Sequence, residues 1–286
     1  MHGNSILSVL MTSYNREQFI SEAIESVLAS TYKNFELIIV DDGSKDKTVS
    51  IAQSYASKDA RVNVYVNEKN LGDYSNRNKA ASYATGEYIM YVDSDDKILP
   101  DGFERCINIM QHFPQAGFGM QLNEEPGDAF YLNPEEAVHR HFFKKPLLMI
   151  GPGGTILRRS FFEQVGKYPV KYGPANDMYF NLKAVADTGV VLLPFAFNFY
   201  RIHEGQELNN KYSYLYNNYC YLRDALNGLE LPLSEKEKEW ISNKNKRRFL
   251  VNLFHYFIHS KNIGKTIAAR RLAGFGWKDA MKALVH

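Results

Sequence analysis

Cysteine is nearly absent from this 286-residue chain: there are two, Cys106 and Cys220, far apart and in no C-x-x-C. That excludes a disulfide framework and a thiolate zinc site, and it fits a reducing compartment. No stretch reaches the roughly 20 consecutive apolar residues that a membrane-spanning helix needs. Ahead of the apolar run Ile6–Met11 stands only Met-His-Gly-Asn-Ser, too short and without the basic flank of a secretory signal, so a cytosolic protein is expected. Internal repeats and low-complexity tracts are lacking, and 45% hydrophobic with 23% charged residues excludes disordered and fibrous classes. Net charge is also small, +2 from 34 Lys and Arg against 32 Asp and Glu, but it hides an asymmetry. Residues 244–286 carry ten Lys or Arg and the single acid Asp279, giving +9 and leaving −7 for the first 243 residues. An acidic body suits a cation such as a metal, and a basic tail suits an anionic surface.

What is present is a series of short β-branched and apolar runs: 6–11, 35–40, 62–66 and 87–92, each bounded by Gly, Asn, Asp or Ser. Between the first two, Phe19, Ile20, Ala23, Ile24, Val27 and Leu28 form one helical stripe, with Asn15 and Gln18 suggesting an N-cap. Helices are expected near 48–55 and 74–84, again at 177–187, and in the tail at 234–259 and 263–273, with a strand at 190–193. Alternating strands and helices predict an α/β layer with a mainly parallel sheet and right-handed crossovers.

Ligands of open α/β sheets bind beyond the carboxyl ends of the strands. Three polar clusters fall there: Thr12-Ser-Tyr-Asn-Arg16, Asp41-Asp-Gly-Ser44 and Asp93-Ser-Asp-Asp96. Three carboxylates within four residues repel one another unless a cation sits among them, and oxygen ligands suit Mg²⁺ or Mn²⁺. A helix N-cap is the plain alternative for Asp96. For Asp41 and Asp42 one acid satisfies a strand-to-helix turn, which leaves the other to accept a hydrogen bond, for example from the imide N–H of a uracil. His139 and His141, two residues apart, are expected at the surface.

Taken in order, residues 8–15, 35–44 (Phe-Glu-Leu-Ile-Ile-Val-Asp-Asp-Gly-Ser), Asn70-Leu-Gly72 with Arg77-Asn78, and 86–96 resemble the nucleotide-sugar half of a family 2 inverting glycosyltransferase with the GT-A fold, of the bacterial polysaccharide type. The likeness continues loosely through Gly154–Arg159, Gly166, Asn176-Asp177 and Arg201-Ile-His-Glu204. It implies a GT-A Rossmann-like, mixed but mainly parallel sheet flanked by helices over residues 1–210, followed by a helical C-terminal appendage, 211–286. It also implies a UDP-sugar donor, a glycan or lipid-linked glycan acceptor, and Mn²⁺ or Mg²⁺. Donor-binding positions correspond to Thr12, Tyr14, Asp41, Asp42, Gly72, Arg77, Asp93 and Ser94. Metal positions correspond to Asp95, Asp93 and His203, and the general base to Asp177. Asn176 departs from the family, which often has an acid before the base.

Two other classes stand beside this reading: a non-catalytic sugar-nucleotide or glycan-binding module, and a haloacid-dehalogenase-type phosphatase, which would carry its D-x-D on the first strand rather than the fourth. The basic tail runs into Phe249–Ile258, apolar on nearly all sides. Burial in the domain or in a homodimer is the first expectation for it, and peripheral contact with an anionic membrane surface the second. No nucleic-acid-binding motif accompanies the charges.

Overall fold

Strands without a polar face need cover on both sides, and the helices between them supply it. The computed structural model describes residues 7–122, 127–203 and 210–285. In chain order the elements are β1 (Leu7–Ser13), α1 (Ile20–Leu28), β2 (Phe35–Asp41), α2 (Thr48–Ala56), β3 (Val62–Val66), α3 (Asp73–Ser82), β4 (Tyr88–Tyr91), β5 (Lys97–Ile98), α4 (Gly102–His112) and β6 (Phe118–Gln121). There follow β7 (Phe130–Leu132), α5 (Pro134–His139), β8 (Thr155–Arg158), α6 (Arg159–Val165), α7 (Asn176–Thr188), β9 (Val190–Leu193) and β10 (Asn198–Phe199). The last helices are α8 (Lys211–Gly228), α9 (Glu235–Ser260), α10 (Ile263–Leu272) and α11 (Trp277–Val285).

The main sheet has the order β3-β2-β1-β4-β8-β6-β9-β7. Strands β1 to β4 are mutually parallel, as the alternating pattern requires. The sheet turns mixed where β8 inserts antiparallel between β4 and β6. A separate ribbon pairs β5 with β10. The period of two sends Leu10, Ile38, Val40, Ile89 and Tyr91 into one core and Val9, Met11, Leu37, Ile39 and Met90 into the other. On the second face lies α1, whose Ile20, Ala23, Ile24 and Val27 are fully buried. Truncating Ile24 to Ala there costs about 2–5 kcal/mol. The first core extends through Phe180 of α7 to Leu215 and Tyr219 of α8 and Phe249 of α9, so the C-terminal helices share it.

Two sequence expectations are corrected. Helix α1 begins at Ile20, not near Asn15; Asn15 takes a left-handed φ of 52°, and its Oδ1 accepts the Lys45 amide instead of capping. His141 is buried: its Nδ1 accepts the amides of Leu147 and Leu148, and burial pushes its pKa down to about 4. Helix α9 is capped by a Ser234–Glu237 box but is buried on one side only, through Ile241, Phe249 and Leu253, while Val251, Phe254 and Ile258 are exposed. Among the described residues no helix is long and apolar enough to cross a membrane.

Candidate functional site

The loops after β1 and β2 are laced together by the turn that Asp41 builds. In the parallel register Ser13 stands opposite Asp41, and its hydroxyl donates to Asp41 Oδ2 at 2.9 Å. The amides of Gly43 and Ser44 donate to Asp41 Oδ1 and the Ser44 hydroxyl to Oδ2. Gly43 makes this reversal with φ +82°, a conformation that costs a side-chain-bearing residue about 1–2 kcal/mol. These four donors fill the four lone-pair positions of the carboxylate. Asp42 points instead to the loop before α3. Its Oδ1 accepts Asn67 Nδ2 and the Leu71 amide, and its Oδ2 the Gly72 amide, all at 2.8–2.9 Å. Three donors leave one acceptor position, on Oδ2. Tyr14, beyond β1, is 45% exposed with its ring available for stacking.

Helix α3 delivers Arg77, whose Nε donates to Asp73 Oδ1 at 2.8 Å and Nη1 to Asp93 Oδ1 at 2.6 Å. Beyond β4, Asp95 Oδ2 accepts both Arg16 Nε and His203 Nε2 at 3.0 Å. The His203 ring stacks on Phe19. Asp96 is buried and its Oδ1 accepts the Arg201 amide; burial, then the neighbouring Asp93 and Asp95, push its pKa up to about 7. Ser94 is buried in the same turn.

Asp177 lies in the first turn of α7, 9% exposed. Its Oδ1 accepts the Met178 amide at 2.8 Å, and its Oδ2 faces the glycine loop, where a Cβ built on Gly151 would stand 3.6 Å away. Burial pushes its pKa up to about 7, against the opposing pull of the Met178 amide and Arg77. The other end of that loop reaches the donor side, since a Cβ on Gly153 would be 4.0 Å from Asp93 Oδ2. One short loop therefore touches Asp177 and Asp93 together, and a lining of Gly-Pro-Gly-Gly keeps the space between them open. Asn176, the departure from the family pattern, holds the turn before α7: its Oδ1 accepts the Tyr172 amide and its Nδ2 donates to the Gly173 carbonyl. A carboxylate accepts but cannot donate.

The structure thus brings Asp95 and His203 together and keeps Asp93 on Arg77. Among the described residues no group of three or more His, Cys, Asp and Glu gathers as a metal cage. Mg²⁺ and Mn²⁺ sites commonly use one or two protein ligands and complete the shell with phosphate and water, so the Asp95–His203 pair fits such an ion. Sequence reasoning overlooked Asp73 and gave Arg16 and Arg201 no role. Asp73 and Arg77 stand four apart on a helix, the ion-pair spacing that gives Asp73 away; Arg16 and Arg201 lie in segments singled out above, but their partners Asp95 and Glu22 are far off in sequence, so their pairing leaves no local signal.

The sequence matches Glycosyl transferase family 2 over residues 8–166, more than half of the chain. A putative teichuronic acid biosynthesis glycosyltransferase, TuaG of Bacillus subtilis (strain 168), is 34% identical over 148 residues, covering 50% of this chain and 59% of its own. An uncharacterised glycosyltransferase of Haemophilus influenzae is 39% identical over 105 residues, covering 37% and 42%. The chain spans about half the length of these curated relatives. The crystal structure of S. aureus TarS 1-349 in complex with UDP-GlcNAc has a TM-score of 0.73 at 21% identity, covering 98% of this chain and 88% of that one. The mannosyltransferase PcManGT from Pyrobaculum calidifontis, in complex with GDP-Man and Mn²⁺, has 0.67 at 13%, covering 99% and 84%. At such identities the likeness is one of fold, and it is the GT-A fold expected above, helical C-terminal region included. On the match over residues 8–166, the chain belongs to glycosyl transferase family 2.

Proposed function

We propose that the chain transfers a hexosyl group from a UDP-sugar to a hydroxyl of a glycan or lipid-linked glycan, with inversion. The observation that carries this is the placement of a buried carboxyl with a pKa of about 7, Asp177, across one glycine loop from Asp93. A general base works best with a pKa near the working pH, and one within hydrogen-bond reach contributes about 10²- to 10⁴-fold. Asp177 Oδ2 takes the acceptor's hydroxyl proton as the new C–O bond forms at the anomeric carbon and the bond to the diphosphate oxygen breaks. One displacement from the opposite face inverts that carbon. In this reading residues 1–210 hold the donor and the chemistry, and residues 211–286 form the extension.

The donor side divides by hydrogen-bonding capacity. Asp42 keeps one acceptor position for the imide N–H of uracil, whereas Asp41 has none left, and Tyr14 stacks on the base beside Thr12. Gly72 and Ser94 line the approach, and Arg77 fixes Asp93. Asp95 and His203 would hold Mn²⁺ or Mg²⁺, which when bound supplies Lewis-acid stabilisation of the departing diphosphate. TarS with UDP-GlcNAc and PcManGT with GDP-Man and Mn²⁺ support a nucleotide-sugar donor on this fold. Asp177→Asn is expected to abolish transfer while UDP binding stays within a few-fold of the unsubstituted protein; equal loss of both refutes the base role. Calorimetric UDP binding that is the same with and without Mn²⁺ would remove the metal.

A further inference from the structure

The C-terminal helices keep an apolar face that the fold leaves uncovered. At 100° per residue, Val251, Phe254 and Ile258 of α9 lie opposite the buried Phe249 and Leu253, and Phe254 is 60% exposed. Helix α11 has a second stripe at i, i+4 and i+7: Trp277 is 81% exposed, Met281 62% and Leu284 73%, while Ala283 turns inward. Lys278 and Lys282 flank that stripe, and Lys261, Lys265 and Arg271 are exposed along the preceding connection and α10. Against ten cations in residues 244–286 there is one acid, Asp279, and it already faces Lys246. Helix α8 packs on α7, which carries Asp177, α9 packs on α8, and α10 and α11 pack on α9, so this face is on the outer layer.

We propose that the outer face of α9–α11 docks on an anionic phospholipid surface, with Trp277, Met281, Leu284 and Phe254 entering the interface and the lysines meeting the headgroups. Charge complementarity decides for this occupant over a second copy of the chain. A two-fold interface would set a segment of +9 against itself, whereas anionic lipid gains from each cation near the surface. A helix with apolar and aromatic residues on one side and lysines on the other is the form that lies in a bilayer interface without crossing it. This goes beyond the transfer reaction and does not rest on it, because docking needs neither donor nor acceptor.

The test is sedimentation of the intact chain with vesicles of equimolar phosphatidylglycerol and phosphatidylcholine, beside vesicles of phosphatidylcholine alone. Binding is expected to the first and not the second. It is expected to be released as salt rises from about 0.1 M to about 1 M, which shortens the Debye length from about 10 to 3 Å. At about fivefold per cation, Lys278→Gln with Lys282→Gln should lower the partition coefficient about thirtyfold. Trp277→Ser with Leu284→Ser, both at exposed sites, should lower it at least tenfold without changing Tm. Trp277→Phe should keep binding and lose the blue shift of tryptophan emission. No binding to anionic vesicles overturns the proposal. So does a concentration-dependent dimer, seen by ultracentrifugation without lipid and abolished by Trp277→Ser.

Discussion

Replacing Asp177 by Asn should make the protein inactive and, above neutral pH, more stable. Burial raises its carboxyl from 3.8 to about 7, so the native state favours the protonated form. The sign follows by linkage: unfolding at pH 8 releases a group that ionises freely, so stability is highest below about pH 4 and is lost as pH rises through 7. Three pH units at 1.36 kcal/mol each amount to about 4 kcal/mol forgone at pH 8. With the side chain 9% exposed, solvent screening removes little of this. The asparagine of the variant carries no ionisable group, and its side-chain oxygen can still accept the Met178 amide. At about 2.1 cal/mol/K of unfolding entropy per residue, 4 kcal/mol is a rise of about 7 °C in Tm. Calorimetry of the unsubstituted and Asp177→Asn proteins at pH 5 and pH 8 is the measurement, paired with the rate of UDP release. The Tm difference should be about 3 °C at pH 5, where the unfolded carboxyl already ionises and about 1.6 kcal/mol is forgone, and about 7 °C at pH 8, while the rate of the unsubstituted protein falls about tenfold per unit below pH 7. A Tm difference independent of pH, or a variant less stable at both, would refute the assignment of a buried carboxyl with a shifted pKa.

Arg77→Ala should cost about 2–3 kcal/mol, less than the loss of a fully buried ion pair because the Asp73 side chain is 54% exposed, as read by chemical denaturation. Arg77→Lys should recover little of it, since one ammonium cannot serve Asp73 and Asp93 with the fork of Nε and Nη1. Asn176→Asp loses the donor to the Gly173 carbonyl and adds a buried charge, for about 1–3 kcal/mol at pH 8 and less at pH 4, where the new acid is protonated. Gly102→Ala would put a Cβ 2.6 Å from the Phe197 carbonyl oxygen, so α4 must shift and Tm should fall; an unchanged Tm would contradict that packing.

Much of the frame was legible because it follows from local rules. The run at 35–40 has no lasting polar face, and β2 is indeed covered on both sides, whereas the run at 62–66 forms the edge strand β3 with Tyr65 and Val66 exposed. The stripe Ile20, Ala23, Ile24, Val27 could bury only as a helix. The three polar clusters were found by looking beyond strand ends, where the structure indeed gathers them. The middle third resisted because β6, β7 and β8 are three or four residues long and draw their order from pairing with β4 and β9, which no window of sequence records. His141 was misplaced for a related reason: its burial depends on the amides of Leu147 and Leu148 turning back onto it. The outward face of α9 was hidden because hydrophobicity on all sides does not say which side finds a neighbour.

Cation pairing divides the acids of the site in a way that motif spacing could not. Asp93 stands on Arg77 and Asp95 on Arg16 and His203. Among the described residues, no cation stands within bonding reach of Asp96 or Asp177, and both are pushed up to about 7 by burial. Environments that separate like groups in this manner mark acid–base roles. Between the two, Asp96 is closed into its turn by the Arg201 amide, among other carboxylates. Asp177 alone opens on a loop lined with glycine, with one oxygen committed to Met178 and the other facing the gap. The neutral Asn176 beside it fits the proposed base role of Asp177: a second carboxyl there would push the Asp177 pKa further up.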